Sequence, residues 1–245
     1  MYKSLFFSLL LLYLISISSS VKFLSKSSFL SLSNSSTKIS ASTLKDSFAL
    51  KNFYIIDTRE VPIMAKGYIS NSLLIPNSMF SWLPSLVPES THIIIITDNE
   101  KYSSTMKKYN SLKNYKIDGY CFYDEIVKEA NFDIQQIEYD PNTYESIQNI
   151  IKNKETIIDI REIKEYKETG VIKEAKLIPI STFMEKNYLQ IPKKGNIYVY
   201  CYGGTRAVVA MSFIKRAGYT NKFFIMTKGL YQAIQEKYPL VPYTE

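Results

Sequence analysis

The chain has 245 residues, of which 46% are hydrophobic and 14% are aromatic. This composition supports a sizeable hydrophobic core and excludes a fully disordered chain, and the length suggests one large domain or two small ones. Two cysteines and one histidine exclude both a disulfide framework and a Cys/His zinc site. We therefore expect no metal.

The net charge of +7 is concentrated near the N-terminus. Residues 1–45 contain five lysines and no acidic residue, which leaves a charge of only +2 for the rest of the chain. A nucleic-acid surface would need basic residues clustered on a folded face. We therefore expect no nucleic-acid partner.

Residues 1–20 have the layout of a secretory signal peptide. A short basic start is followed by an apolar run over residues 5–17 and then by three serines that suit cleavage before Val21. The apolar run of 13 residues is short for a membrane span. We expect the signal peptide to be removed and to leave no stable membrane span.

Residues 21–37 are rich in serine, contain Lys22 and Lys26, and have no acidic residue. This composition predicts either an organelle transit peptide or a disordered linker. A transit peptide behind a signal peptide would send the protein through the secretory pathway to a plastid-type organelle. The alternatives are secretion and a mitochondrion, although a mitochondrial presequence would normally contain arginine.

The rest of the chain repeats itself at an offset of roughly 103 residues. Residues 55–60 (IIDTRE) recur as 157–162 (IIDIRE), and the tripeptide Leu-Ile-Pro at 74–76 recurs at 177–179. The period is far longer than that of solenoid repeats. It indicates a duplicated domain.

Each copy alternates short apolar strands with helices, and we place the two domains at residues 38–133 and 134–245. In the second copy, Asp140 as N-cap and Pro141 at the first helical position predict a helix start. The elements predicted for this copy are helices over 140–151, 163–168, 207–217 and 230–237, and strands over 156–160, 176–178, 196–200 and 222–226. This alternation predicts an α/β fold with a parallel sheet that is covered on both faces.

One motif has clear chemistry: residues 201–206 (CYGGTR), between a predicted strand and a predicted helix. Gly203 and Gly204 allow successive backbone N–H groups to point inward and form a nest for an anion. The helix N-terminus and Arg206 add positive charge. These features favour the thiolate form of Cys201 and make it an activated nucleophile.

Together these motifs make residues 38–245 resemble a tandem pair of rhodanese-like domains. The resemblance rests on the cysteine loop, the Asp-x-Arg-Glu motif after a strand, the Gly followed by Ile-Pro, and the Gly-Tyr before the last strand. It implies two domains, each with a parallel sheet of about five strands flanked by helices. It also implies a sulfurtransferase, in which a cysteine persulfide carries sulfane sulfur from thiosulfate or a persulfide to a thiol or protein acceptor without a metal or organic cofactor.

By the same resemblance, Cys201 is the catalytic persulfide carrier. Asp159 and Arg161 are expected near the site in a structural role. The residues expected to bind the substrate, chiefly through their backbone, are Tyr202, Gly203, Gly204, Thr205 and Arg206.

The length of the loop separates related activities. Four residues lie between Cys201 and Arg206, as in sulfurtransferases of this family, whereas related phosphatases and arsenate reductases have five. Two positions depart from the family pattern, because Tyr202 stands where a basic residue is common and Ala207 where Ser or Thr is common. These departures favour persulfides or partner proteins over thiosulfate as the sulfur donor.

The first copy lacks the motif. Alignment of the two copies places Thr97 at the position of Cys201, and the following residues include Asp98 and Glu100 but no glycine. Two carboxylates at this position would repel an anion. We predict that the first domain is catalytically silent.

Two other functions stay open at this point. One is a non-catalytic rhodanese-like module that binds a partner or senses the redox state, and the other is a cysteine-based phosphatase or arsenate reductase. We also expect Cys121 to pack in the core. Lys215 and Arg216 are expected to form the solvated end of the helix that follows the loop.

Overall fold

The computed structural model describes residues 37–48 and 53–244. The predicted signal peptide over 1–20 lies outside the described residues, and so does the Ser-rich segment over 21–37 apart from Thr37. Within the described ranges, no helix is both long enough and apolar enough to cross a membrane.

The described chain alternates short strands with helices. The strands in chain order are β1 Phe53–Asp57, β2 Tyr68–Ile69, β3 Leu73–Leu74, β4 His92–Thr97, β5 Lys116–Phe122, β6 Ile134–Gln135, β7 Glu138–Asp140, β8 Thr156–Asp159, β9 Lys176–Leu177, β10 Ile197–Tyr200 and β11 Phe223–Met226. The α-helices are α1 Ala41–Phe48, α2 Val61–Met64, α3 Tyr102–Asn110, α4 Tyr123–Glu129, α5 Tyr144–Lys152, α6 Ile163–Thr169, α7 Thr205–Arg216 and α8 Gly229–Gln235. Three 3₁₀ segments cover Asn77–Ser85, Ile180–Glu185 and Asn187–Gln190.

Two parallel sheets organise these elements. The first has four strands in the order β3-β1-β4-β5, and the second has five in the order β7-β11-β10-β8-β9. The central strand β4 has the sequence HIIIIT, and Ile93 to Ile96 are each 0% exposed. A strand that is buried on both faces needs such a continuous apolar run. The predicted fold class, an α/β fold with parallel sheets flanked by helices, is confirmed.

The start of the second half differs from the prediction. Asp140 is not a helix N-cap, because it ends strand β7, which pairs with β11. Helix α5 begins at Tyr144 instead, and the side chain of Thr143 caps it by accepting the N–H of Ser146 at 3.2 Å. The residue before a proline is restricted to extended conformations, which suits the last residue of a strand.

The two halves share a hydrophobic core. Buried residues of both sheets, including Ile56, Ile95, Ile158 and Val199, belong to one contiguous cluster. The described residues form part of one compact unit, Asn34–Glu245. The division of this unit at residue 134 remains a prediction.

The end of α7 is a junction between the halves and not a solvated helix end, so that expectation is wrong. Lys215 donates hydrogen bonds to the Tyr68 hydroxyl at 3.2 Å and to Gln135 Oε1 at 3.0 Å. Arg216 donates to the carbonyl oxygen of Phe53 at 2.7 Å. Because Tyr68 and Phe53 belong to the first half, the two basic side chains contact the protein across the junction and do not extend into solvent.

Candidate active site

The CYGGTR loop lies at the carboxyl edge of the second sheet, between β10 and α7. Strand β10 is flanked by β11 and β8, so Cys201 follows a strand with neighbours on both sides. Ligands of open parallel sheets bind at this edge, beyond the carboxyl ends of the strands. The fold therefore brings the predicted nucleophile to a position suited to chemistry.

The sulfur of Cys201 lies inside the loop. The residue is 2% exposed, and its Sγ accepts the N–H of Gly204 at 3.0 Å. Gly204 has φ +98°, a left-handed conformation that glycine adopts without strain. This bend turns the N–H of Gly204 toward the sulfur at the N-terminus of α7. A negative charge on the sulfur is therefore stabilised by a backbone donor and by the helix dipole.

The first turn of α8 donates hydrogen bonds to the carbonyl groups of the loop. The carbonyl oxygen of Cys201 accepts the N–H of Leu230 at 2.8 Å, and that of Tyr202 accepts the N–H of Tyr231 at 3.1 Å. Gly229 has φ +53°, and a side chain there would overlap with the carbonyl of Cys201. Gly229 is thus needed for the close approach of the two backbones.

Arg206 is held by a carboxylate that the sequence analysis did not identify. Its two terminal nitrogens, Nη1 and Nη2, donate to Glu165 Oε2 and Oε1, both at 2.6 Å. The Trp82 ring, from the first half, lies 5.9 Å from the guanidinium carbon of Arg206, at the outer limit for a cation–π contact. Glu165 and Trp82 therefore fix the position of Arg206 beside the cysteine loop.

These contacts change the acidity of both partners. The pKa of Arg206 is raised above its ordinary value, chiefly by its hydrogen bonds to Glu165 and also by the proximity of Cys201. Burial opposes ionisation of Glu165, but hydrogen bonds from Arg206 and from the Glu162 N–H outweigh it and lower the pKa of the carboxyl below 4.5. Both groups are therefore ionised at neutral pH.

Replacing Glu165 by glutamine is expected to lower the free energy of unfolding by about 1 to 3 kcal/mol at pH 7, since it removes a bidentate, partly buried ion pair. Because folding lowers the pKa of Glu165, its contribution is fully present above the unfolded pKa of 4.5. That contribution is lost as the pH falls through the lower folded pKa. Urea unfolding at several pH values measures the difference.

Glu168→Gln is the matched control for this change. Glu168 lies on the same helix, but its pair with Lys164 is long, 3.8 Å, and both side chains are largely exposed. Exposed pairs of this kind contribute roughly 0 to 1 kcal/mol. Equal effects of the two substitutions at pH 7 would contradict a special role for Glu165.

Asp159 and Arg161 form a buried ion pair next to the site, which we call the brace. Arg161 Nη2 donates to Asp159 Oδ2 at 2.6 Å and to the carbonyl oxygen of Gly170 at 2.8 Å, and both charged side chains are 0% exposed. The Tyr166 hydroxyl donates to the carbonyl oxygen of Asp159 at 2.9 Å. The brace ties the end of β8 to the middle and the C-terminal end of α6, the helix that carries Glu165.

The first half repeats this brace but not the loop. Arg59 Nη2 donates to Asp57 Oδ2 at 2.6 Å and to the carbonyl oxygen of Gly67 at 2.8 Å. Asp57 pairs with Ile96 in the first sheet as Asp159 pairs with Tyr200 in the second. This register gives Thr97 the place in the first sheet that Cys201 has in the second.

The chain beyond Thr97 turns without a glycine nest. The side chain of Asp98 accepts the N–H of Lys101 at 2.7 Å, and a cavity of about 190 Å³ beside it is lined by Asp98, Asp124 and Glu125. These three carboxylates outnumber the one cation in the lining, Arg59, which is already paired with Asp57. The silent role of the first half remains a prediction.

The structure brings most of the predicted site together. Cys201 contacts Gly204, Arg206 lies beside them, and Tyr202 is exposed at the mouth of the loop. Gly203 and Thr205 complete the loop around the sulfur. Cys121 is 0% exposed in β5, so its assignment to the core is confirmed. Over the described ranges, no group of His, Cys, Asp and Glu could hold a metal ion.

Three further residues at the site were not identified from the sequence: Glu165, Trp82 and Gly229. A half-buried arginine such as Arg206 needs a carboxylate partner, but Glu162, Glu165 and Glu168 are all candidates by sequence. Trp82 and Gly229 reach the loop only through the packing of distant segments. Their sequence neighbourhoods contain no signal for this contact.

These features define an α/β protein with a cysteine held in a glycine-containing loop at the N-terminus of a helix. Residues 143–236 match the rhodanese-like domain family. This part of the chain is a rhodanese-like domain, and such domains act on small sulfur donors and thiol acceptors. Assignment of the first half to the same family remains a prediction.

Known proteins resemble parts of the chain. A tRNA uridine(34) hydroxylase of Buchnera aphidicola subsp. Baizongia pistaciae is 33% identical over 114 residues, which is 41% of this chain and 36% of that protein. The chain thus spans about a third of the length of this curated relative.

Two solved structures are similar at low TM-scores. A rhodanese-related protein from Thermoplasma volcanium is 28% identical, with a TM-score of 0.37 over 43% of this chain and 100% of its own. A thiosulfate sulfurtransferase from Pseudomonas aeruginosa is 16% identical, with a TM-score of 0.36 over 85% of this chain and 44% of its own.

Proposed function

We propose that the protein is a sulfurtransferase that carries sulfane sulfur as a persulfide on Cys201. The observation that supports this most is the position of the Cys201 sulfur, at the N-terminus of α7 and 3.0 Å from the backbone nitrogen of Gly204. A persulfide formed there would extend the negative charge into the nest of backbone N–H groups. The rhodanese-like domain over residues 143–236 supports this class of chemistry.

In the first step, the Cys201 thiolate attacks the outer sulfur of the donor. A sulfur–sulfur bond forms at Cys201 while the bond between the outer sulfur and the rest of the donor breaks. The donor residue leaves with the bonding electron pair, as sulfite from thiosulfate or as a thiolate from a persulfide. The backbone donors of the loop stabilise the charge on the terminal sulfur of Cys201.

In the second step, an acceptor thiolate attacks that terminal sulfur. A new sulfur–sulfur bond forms on the acceptor, and the bond to Cys201 breaks. The electron pair returns to Cys201 and regenerates the thiolate. The cycle involves no net oxidation or reduction of the protein.

The charge balance at the mouth of the loop favours a persulfide as donor over thiosulfate. Glu165 neutralises Arg206 at 2.6 Å, and both terminal nitrogens of the guanidinium already donate to it. Tyr202, where a basic side chain is common, adds no charge. A dianion such as thiosulfate, whose charge lies next to the reacting sulfur, would gain little electrostatic attraction from this arrangement, whereas the reacting group of a persulfide has a single charge.

Intact mass of the full chain tests the proposal. The protein is incubated with thiosulfate or with glutathione persulfide, desalted and compared with Cys201→Ala. We expect wild type, but not Cys201→Ala, to gain the mass of one sulfur atom, with the persulfide as the better donor. A Cys121→Ala control should load like wild type, because burial raises the pKa of the Cys121 thiol and keeps it protonated.

Other results would overturn the proposal. Loading that persists in Cys201→Ala would remove Cys201 from the role of carrier. A folded wild type that loads with neither donor would favour a non-catalytic binding module. Hydrolysis of an aryl phosphate that depends on Cys201 would favour a phosphatase.

A second candidate function comes from the relative named as a tRNA uridine(34) hydroxylase, since 114 residues of alignment are 33% identical to it. A role in the modification of tRNA would require the chain to bind tRNA. A gel-shift experiment with unmodified tRNA, at several salt concentrations, distinguishes the two candidates. Specific tRNA binding without sulfur loading of Cys201 would favour the second.

A further inference from the structure

A polar cavity of about 330 Å³ lies where the two halves meet. Residues 68–72 of the first half form one wall, and the end of α7 with the turn after it forms the other. Helix α7 has 12 residues, so this end lies about 18 Å along the helix from the Cys201 loop. The cavity is therefore separate from the candidate active site.

Lys215 places a positive charge in the wall of this cavity. Its Nζ donates to two neutral acceptors, the Tyr68 hydroxyl at 3.2 Å and Gln135 Oε1 at 3.0 Å. Within the described part of the chain, no carboxylate forms an ion pair with it. An ammonium group has three N–H donors, so one remains for a ligand.

The surroundings of Lys215 disfavour a charge that has no counterion. Burial lowers the pKa of Lys215, although the charges of Glu138 and Asp133 oppose this effect. A partly buried cation gains more from an anion than an exposed one, because less water screens the interaction. The geometry and the charge both point to an anionic group beside Nζ.

Three further polar side chains line the cavity without protein partners. The hydroxyls of Ser70 and Thr220 and the side-chain amide of Asn71 line it, and none of them hydrogen-bonds to any residue in the described ranges. Binding sites for small molecules have volumes of about 300 to 1,000 Å³ and hold their ligands through a few convergent polar groups. This cavity has the volume of a small site and offers both donors and acceptors.

We propose that the cavity binds a small molecule that carries a carboxylate or phosphate group, with this group against Lys215. Ser70, Asn71 and Thr220 then bind the polar remainder of the ligand. Since the walls come from both halves, an occupied cavity ties the two halves together at the end of the active-site helix. The site does not depend on the sulfur chemistry proposed for Cys201.

Isothermal titration of the full chain tests this site with two probes, inorganic phosphate and succinate, at constant ionic strength. We expect one of them to bind wild type and Lys215→Arg, and Lys215→Met to weaken that binding by at least about tenfold. Lys194→Met is the control, because Lys194 is exposed and does not line the cavity. This control should bind the probe like wild type. A probe that binds at the Cys201 loop, and not in the cavity, would bind Lys215→Met as well as it binds wild type.

A second variant tests the cavity without removing the charge. Thr220 is exposed on the cavity wall, so Thr220→Trp should fill the space, leave the fold intact and weaken binding as Lys215→Met does. Thermal unfolding without ligand verifies that each variant is folded. If neither probe binds the wild type, or if either variant binds as well as wild type, the proposal is overturned.

Discussion

Replacing Arg161 by methionine is expected to lower the free energy of unfolding by about 3 to 5 kcal/mol. Arg161 and Asp159 are both 0% exposed and share a bidentate ion pair. Methionine fills much of the space but leaves a buried carboxylate without its cation. Since domains are typically stable by about 5 to 15 kcal/mol, urea unfolding should show the loss clearly.

The pH dependence of this loss identifies its cause. Burial raises the pKa of Asp159 above its ordinary value in the wild type, although the hydrogen bonds and charge of Arg161 oppose this effect, and removal of the cation raises the pKa further. The folded variant then binds more protons than the folded wild type, so the loss grows as the pH rises through the folded pKa of the wild type. A loss that does not change between pH 5 and pH 8 would indicate a packing defect instead.

Two further variants calibrate the result. Arg59→Met removes the equivalent ion pair of the first half, whose side chains are 3% and 0% exposed. It should lower the free energy of unfolding by about as much as Arg161→Met. Lys222→Met removes an exposed pair and should cost less than about 1 kcal/mol. Similar costs for all three would contradict the importance of burial.

Most of the fold could be predicted from the sequence, because the central strands are apolar runs. Such runs as HIIIIT in β4 and IYVY in β10 must be buried, and the helices between them force the strands to be parallel. The edge strand β7 could not be recognised, since its sequence EYD is mostly exposed. An edge strand gains its stability from hydrogen bonds to a neighbour, and local hydrophobicity does not reveal them.

The candidate site could be predicted where its residues are contiguous. The residues of the loop from Cys201 to Arg206 set its conformation themselves. Gly204 has φ +98°, and its N–H donates to the Cys201 sulfur. Glu165 and Trp82 come from 41 and 124 positions before Arg206. Their contacts depend on how α6 and the first 3₁₀ segment pack, and packing of this range has no local signature.

The same limit applies to the support behind the loop. Gly229 lies outside any motif of the sequence, yet this glycine allows α8 to approach the carbonyl groups of Cys201 and Tyr202. The loop is therefore shaped from both sides, by its own glycines and by a glycine that lies after the next strand.

Gly229→Ala is expected to reduce sulfur loading of Cys201 by roughly ten- to a hundredfold, because displacements of about 1 Å at a reacting group have effects of this order. The new methyl group would overlap with the carbonyl of Cys201 and lie 2.8 Å from the Tyr202 oxygen. The loop must then move away from α8 and loses its hydrogen bond from Leu230. Intact mass after incubation with glutathione persulfide measures the loading.

Gly218→Ala separates the effect of the overlap from that of backbone strain. Gly218 has φ +95°, so alanine is strained there too, but the added methyl group meets nothing within 4 Å. In both variants, the strain of alanine in the left-handed conformation should lower the free energy of unfolding by about 1 to 2 kcal/mol. Only Gly229→Ala should also lose sulfur loading while it remains folded. Equal loading in the two variants would mean that the loop keeps its shape without support from α8, and that the nest around the Cys201 sulfur is a property of the CYGGTR segment alone.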